Sequence, residues 1–533
     1  MNFDLHEYPF SSHRNVSLSS NGMVVTSQNL AAEAGLEILR KGGNAIDAAV
    51  ATAAALTVVE PTSNGIGCDA FAQVWSEGEL TGLNASGPAP SSISIGEVIA
   101  RGYEEMPLYG WEPVTVPGGP GGWVALSSKF GSLPLEEVFS PAIRYAREGF
   151  PVSPVVARKW NRIYESMSEL DQDHFSHWFE VFAPDGTPPQ AGEIWRSEDH
   201  ATTLQSIAET EGESFYRGQL AREIDKFAKM SGGFLSGDDL ASYSPEWVDP
   251  LNVEYRGYDI WELPPNGQGL IALMALGILE GFERKNTPDV DTYHKQIEAI
   301  KLAFADGKEY ITDPDHMEVD PAELLQEEYL NRRRNLISDQ SSAPKPGRPP
   351  EGGTVYLATA DDSGNMVSLI QSNFRAFGSG MVVPETGIAL QNRGRIFSLD
   401  PEDANSLEGG KRSYHTIIPG FITKDGGPVG PFGLLGGYVQ PQGHIQLLSQ
   451  MLDFGRNPQA ALDAPRWKWI EEHTTQVEPE LPSHIARSLL RKGHNLEPTY
   501  AVHKFGKGQI IWKEKGVLIG ATEPRADGVV ASY

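Results

Sequence analysis

The stretch 343–361, APKPGRPPEGGTVYLATAD, sets a Pro- and Gly-rich run directly against an alternating strand that begins near Thr354. A threonine hydroxyl is too weakly acidic to attack an amide unaided, but a threonine at a chain's amino terminus carries its own α-amine as general base. Cutting the chain between Gly353 and Thr354 would therefore create a nucleophile, and the run before it reads as a processing loop. Gly352 and Gly353 fit this, because a side chain on the acyl residue would restrict the strained geometry in which the hydroxyl attacks the preceding carbonyl. An ordinary surface linker entering a strand is the competing reading. A second feature is GPFGLLGGYVQPQGH, 430–444, where Gly436 and Gly437 could present backbone N–H groups to a developing oxyanion. A turn or close packing would use adjacent glycines equally well.

Other chemistries find less support. Cys68, in GIGCDAF, has no histidine near it in sequence and suits a core position. No G-x-S-x-G, Walker A or dinucleotide fingerprint occurs. The prolines and irregular acid spacing of DPDHMEVDP, 313–321, match no metal-ligand template and read as a solvated loop. The expectation is an enzyme with no metal and no cofactor.

The elements that must position these residues follow from periodicity. NLAAEAGLEILRKGG, 29–43, is an amphipathic helix with a glycine stop, and Asn44 caps a second, small-residue helix over 45–59 that is apolar on nearly every side. The chain from about 135 to 340 is mostly helical in pattern. After 353 it turns to strands: VYLATAD and MVSLIQS joined by a DSGN turn, then GMVVPE, GIALQN, HTIIPGFIT and GQIIWKE. The mixture predicts an α+β fold with layers around a largely antiparallel sheet.

Composition sets the outer limits. The 533 residues carry a net charge of −28, which disfavours a nucleic-acid partner because phosphate binding needs clustered Lys and Arg. A single cysteine excludes an intrachain disulfide framework and agrees with a reducing compartment. The amino terminus lacks a signal-peptide pattern, and Ala48–Val59 is too short to span a bilayer, so a cytoplasmic protein without a membrane partner is expected.

Long strings in the chain resemble the γ-glutamyltranspeptidase family. KGGNAIDAAVATAAALTVVEPTSNGIG, 41–67, is similar to its amino-terminal signature, and FADGKEYITDPDHMEVDPAELLQEEYLNRRRNLI is similar to the stretch leading to its cleavage site. REGFPVSP, YRGYDIWELPPNGQG and ATEPRADG also match, so the resemblance covers almost the whole chain. It implies an N-terminal-nucleophile hydrolase: a four-layer αββα sandwich, made as an inactive precursor that cleaves itself before a catalytic threonine at Thr354. The fragments would be 1–353 and 354–533, intertwined as a heterodimer in one domain, with a higher homo-oligomer also compatible. The resemblance further places a nucleophile-orienting hydroxyl at Ser372 and the oxyanion glycines at Gly436 and Gly437. It puts a substrate-contacting asparagine within one residue of Asn373.

Departures from the family pattern concern substrate binding. The arginine that grips the α-carboxylate of a γ-glutamyl group stands replaced by Ser86. The carboxylate-binding serine pair stands replaced by His415 and Thr416, and the acid for the α-amine is replaced near Ile396. This pattern resembles a divergent branch of glutathione hydrolase-like proteins, cephalosporin acylases and oxamate amidohydrolases. An acyl carboxylate would still need a cation, which Arg393, Arg395 or Arg375 could supply by bidentate pairing. The expected partner is a small-molecule amide, cleaved by a γ-glutamyltransferase or glutathione hydrolase-like activity. The alternatives are an oxamate- or cephalosporin-type amidohydrolase and a catalytically silent binding homologue.

Overall fold

The alternation of VYLATAD and MVSLIQS builds the hairpin at the centre of the molecule. In the computed structural model, which describes residues 14–344 and 353–533, strands Gly353–Asp361 and Met366–Phe374 pair antiparallel. Residues 345–352, including Gly352 and most of the expected processing loop, lie outside the described residues. Successive side chains of a strand point to opposite faces, and here each face meets a different core. Val355, Leu357, Val367 and Leu369 join a core with the first helices, while Tyr356, Ala358, Met366 and Ile370 pack between two sheets.

Each of those sheets has seven strands. The hairpin's sheet runs, edge to edge, Val529–Ser532, Gly22–Thr26, Gly353–Asp361, Met366–Phe374, Asp69–Ser76, Glu79–Ala85 and Glu246–Val248. The other runs Ser17–Ser19, Val517–Thr522, Lys507–Glu514, Gly427–Leu435, Gly420–Lys424, Tyr258–Glu262 and Leu251–Tyr255. Every pairing within the two sheets is antiparallel. Helices including Ala45–Val59, Gly119–Phe130 and Leu135–Glu148 cover the first sheet, and Gly269–Glu280, Val290–Tyr310 and Val439–Leu448 cover the second. Three apolar layers thus separate four layers of structure, the αββα sandwich the sequence led us to expect. The sheets approach closely where Gly433 faces Tyr356; a Cβ there would lie 2.5 Å from the ring.

Helix Ala45–Val59 starts as predicted: the Asn44 side chain accepts from the N–H of Ile46 and Asp47, and Asp47 accepts from the Asn44 N–H. All fifteen of its residues are buried, which explains a sequence without a polar face. Two expectations need correction. GMVVPE and GIALQN form no strands, only the isolated bridges Val382 to Ala389 and Leu390 to Gly67, because Gly378, Gly380, Glu385 and Gly387 adopt positive φ and break any ladder. The mostly helical middle also contains the strands Leu251–Tyr255 and Tyr258–Glu262, whose alternating burial reads as half-buried sheet.

Candidate active site

Thr354 is the second residue of its strand, and the ladder slips there: Gly353 lies opposite Phe374 but Val355 opposite Gln371. Such a bulge re-aims one side chain. Thr354 Oγ1 comes to 3.2 Å from Ser372 Oγ, and both residues are buried between the sheets. Ser372 Oγ also accepts the Phe374 N–H at 2.8 Å. With that acceptor role filled, the serine hydroxyl is held in one place beside the threonine oxygen.

Phe374 ends the strand in a left-handed conformation, φ 68°. Its ring lies 4.7 Å from the guanidinium of Arg393, a cation–π distance. Arg393 is buried in a short 3₁₀ turn, Arg393–Ile396. Nη1 donates to Thr416 Oγ1 at 2.8 Å, and Nε lies 3.9 Å from Asp69 Oδ2. Nε and Nη2 make no hydrogen bond among the described residues. Burial lowers its pKa to about 10, so the group stays cationic at neutral pH.

Asp69 stands opposite Ser372 in the ladder. Burial pushes its carboxyl up to about 7 against the opposing pull of Arg393. His415 Nε2 lies 3.1 Å from Asp69 Oδ2, and its Nδ1 accepts the Ile417 N–H at 3.3 Å. That assigns the proton to Nε2. Burial and the neighbouring guanidinium hold the imidazole well below its usual pKa, so it is a neutral donor.

Gly436 and Gly437 sit between strand Gly427–Leu435 and helix Val439–Leu448, at φ 135° and 67°. A Cβ on Gly436 would lie 2.5 Å from Val439 Cγ1. Unpaired N–H groups at a helix start favour negative charge. Gln268 ties this turn to the arginine's partner, because its Nε2 donates to both Thr416 O, at 2.6 Å, and Gly437 O, at 3.0 Å. A continuous chain of contacts thus runs from Thr354 through Ser372, Phe374, Arg393, Thr416 and Gln268 to Gly437.

The other predicted residues are placed as follows. Asn373 alternates to the opposite face from Thr354 and Ser372, against Gly65, and neither amide atom finds a partner among the described residues. Arg395 turns away, donating to Met106 O and to Glu105 Oε1 at 2.8 Å. Half-buried Arg375 lies with its guanidinium 6.0 Å from the Phe374 ring. Ser86 Oγ donates to Asn84 Oδ1 at 2.7 Å. Ile396 lines a cleft of about 790 Å³ together with Tyr438, Phe397 and Tyr103. The Cys68 thiol is buried and pushed well up by burial and Asp69, unsuited to attack.

Asp69, Phe374 and Gln268 escape sequence reasoning. Their roles depend on ladder register and on a backbone turn, and no local motif marks either. The acidic 313–321 loop forms no metal cluster among the described residues. His294, Glu298 and His494 do bring ligand atoms within 4.8 Å of one another. However, Glu298 already pairs with the Lys301 ammonium at 2.7 Å, and the two imidazoles bond to each other at 2.7 Å. The lysine fills the cation's place.

The chain is similar to known proteins over nearly its whole length. The chain is 34% identical over 521 residues to a glutathione hydrolase-like YwrD proenzyme of Bacillus subtilis strain 168, covering 96% of this chain and 98% of that one. It is 35% identical over 534 residues to an oxamate amidohydrolase proenzyme of Klebsiella pneumoniae subsp. pneumoniae, covering 97% and 99%. The solved structure of a cephalosporin acylase from Bacillus halodurans matches with a TM-score of 0.96 and 57% identity, over 100% of this chain and 99% of the other. Residues 31–533 match the gamma-glutamyltranspeptidase family, and the chain belongs to it.

Proposed function

We propose that the protein is a self-processing amidohydrolase that uses Thr354 as an amino-terminal nucleophile on small amides whose acyl group carries a carboxylate. The observation that carries the reading is the pairing of Thr354 with Ser372 beside a buried arginine whose Nε and Nη2 make no hydrogen bond among the described residues. In the precursor, Thr354 Oγ1 attacks the Gly353 carbonyl and the acyl group shifts from nitrogen to oxygen. That shift frees the Thr354 α-amine, and water then cleaves the ester, returning the Thr354 hydroxyl and leaving a Gly353 carboxylate. Both sheets contain strands from 1–353 and from 354–533, so the fragments remain one body.

In turnover the α-amine takes the hydroxyl proton as Oγ1 attacks the substrate carbonyl. Gly436 and Gly437 N–H groups receive the oxyanion. The proton passes to the departing amine as the C–N bond breaks, and water, activated by the same amine, hydrolyses the acyl ester. Arg393 pairs the acyl carboxylate, with Thr416 and Asp69 fixing the guanidinium and His415 fixing Asp69. A buried charge left unpaired is costly, and a carboxylate ligand would satisfy both Nε and Nη2.

Family membership favours a second reading, hydrolysis or transfer of γ-glutamyl groups as in glutathione hydrolases. That substrate adds an α-ammonium needing an acid, and Asp69, the carboxylate beside Arg393, is already engaged by His415. The relatives' names, an oxamate amidohydrolase and a cephalosporin acylase, support the carboxylated-acyl reading. The test is kcat/KM on oxamyl, glutaryl and γ-glutamyl anilides, since that ratio compares transition-state binding directly. A preference for one of the first two is expected, and a strong preference for the γ-glutamyl compound would restore the second reading.

A further inference from the structure

The strand Lys507–Glu514 is buried along its first six residues. Its Ile510 and Trp512 join the core under the helices, whereas Ile511 packs between the two sheets with Tyr356. Alternation therefore puts Gln509 and Lys507 on the inner face with Ile511. Gln509 stands opposite Gly433, the residue that meets the Tyr356 ring, and Lys507 stands opposite Leu435, directly before Gly436. At the strand's other end, Lys513 Nζ lies 3.4 Å from where Gly364, in the hairpin turn, would carry a Cβ. Lys507 is thus at the Thr354 end of the sandwich. Neither amide atom of Gln509, which is 1% exposed, finds a hydrogen-bond partner among the described residues. The buried Lys507 side chain makes no hydrogen bond or ion pair among them either. Buried polar groups are normally satisfied, and a buried cation without a partner is costly.

A second ammonium approaches from the helix Pro154–Ser168. Lys159 Nζ donates to Ser63 Oγ at 2.7 Å, and Ser63 Oγ donates to Glu60 Oε1 at 2.8 Å. Ser27, just after the strand Gly22–Thr26, donates to Glu60 Oε2 at 2.6 Å. Burial lowers the Lys159 pKa to about 8, with Glu60 opposing the fall and Lys507 and Arg162 adding to it. Both lysines lie on one flank of Thr354. The Thr354 strand has Gly22–Thr26 on one side and Met366–Phe374, then Asp69–Ser76, on the other. In the facing sheet, Gly427–Leu435 has Lys507–Glu514 on one side and Gly420–Lys424, which follows His415 and Thr416, on the other. Arg393 binds Thr416 and faces Asp69 on that second flank.

We propose that Lys507 and Lys159 form an anion subsite for the amine half of the substrate, with Gln509 as a neutral donor beside Lys507, so that the leaving amine carries a carboxylate of its own. The inference rests on the proposed roles of Thr354 and Arg393. An amide held at Thr354 with its acyl carboxylate on Arg393 directs its nitrogen substituent to the lysine flank. There the substituent's carboxylate would give Lys507 the partner it lacks.

The test uses glutaryl and γ-glutamyl amides of 4-aminobenzoate and of 4-aminobenzamide, amine halves of similar shape that differ in charge. The wild-type enzyme should prefer the benzoate to the benzamide by about tenfold in kcat/KM, the size of one hydrogen bond to a charged group, whichever acyl group is better. Lys507→Met should abolish that preference and Lys507→Arg should keep it. Lys159→Met, on a different element, reads the same ratio independently and should reduce it by a smaller factor. A merely structural lysine would lower turnover of both amides together and leave their ratio unchanged. A wild-type enzyme indifferent to the charge of the amine, or a preference unchanged in K507M and K159M, overturns the inference. The acyl comparison is separate: a strong preference for the γ-glutamyl compounds removes the carboxylated-acyl reading, and the amine ratios then decide the lysine subsite alone. A wild-type chain that is never cut and cleaves none of these amides overturns both.

Discussion

Thr354 and Ser372 meet at 3.2 Å across one hairpin, whereas the four residues standing where a γ-glutamyl clamp is expected scatter into separate duties. Ser86 bonds to Asn84, His415 to Asp69, Thr416 receives Arg393, and Ile396 lines an open cleft. The nucleophile end is fixed by a backbone ladder and a bulge, which leave little freedom without losing the sheet. The acyl end is fixed by side chains from four separate segments of the chain. There, one charge can be removed and another brought in from a neighbouring loop while the layers stay intact. On the proposed reading, the chemistry rests on main-chain geometry and the recognition on side-chain charge, which is the easier of the two to exchange.

The largest effect should come from the nucleophile. Thr354→Ala removes the oxygen proposed to serve both cleavage and turnover, so an uncut chain with activity reduced at least about 10³-fold is expected on gels and in anilide assays. Thr354→Ser should mature slowly and retain some activity. Next is the proposed oxyanion turn: Gly436→Ala places a Cβ against Val439 at a φ of 135°, and the resulting displacement of one backbone donor should lower kcat about 10²-fold. At the acyl end, Arg393→Met should lower kcat/KM for a carboxylated substrate about 10²-fold while changing a neutral analogue far less. Equal losses on both substrates would erase the distinction between the two ends.

The smallest expected effect is a pH slope. Asp69 in the fold holds its proton up to about pH 7 because of burial, against about 3.9 for an unperturbed aspartate. Between about pH 4 and 7 the folded state binds a proton that the unfolded chain has released. Its contribution to stability is therefore complete below about pH 4 and lost as pH rises to about 7. Asp69→Asn should flatten that part of the stability profile in urea melts. An unchanged slope would mean that Asp69 is ionised throughout.

What the sequence disclosed divides along the same line. The Asn44 cap is legible because backbone chemistry leaves a local signature, an asparagine three residues before an aspartate, and the proposals for Thr354 and the glycine pair rest on signatures of the same kind, a proline–glycine run before a strand and adjacent glycines before a helix. The choice among Arg375, Arg393 and Arg395 was not legible. Arg393 and Arg395 are two residues apart in one 3₁₀ turn, yet one guanidinium is buried over Phe374 and the other reaches Glu105 at the surface. Asn373 was singled out by its neighbourhood, but strand alternation sends it away from Thr354. The strands lost at GMVVPE and GIALQN had the right residues, and positive-φ turns decided otherwise.

The central claim is that Thr354 becomes a chain terminus. Amino-terminal sequencing and intact mass of the purified, matured protein test it most directly. The account predicts two associated fragments, the second beginning Thr354-Val355-Tyr356. A single uncut chain of 58.1 kDa, or a second fragment beginning at any other residue, would contradict it.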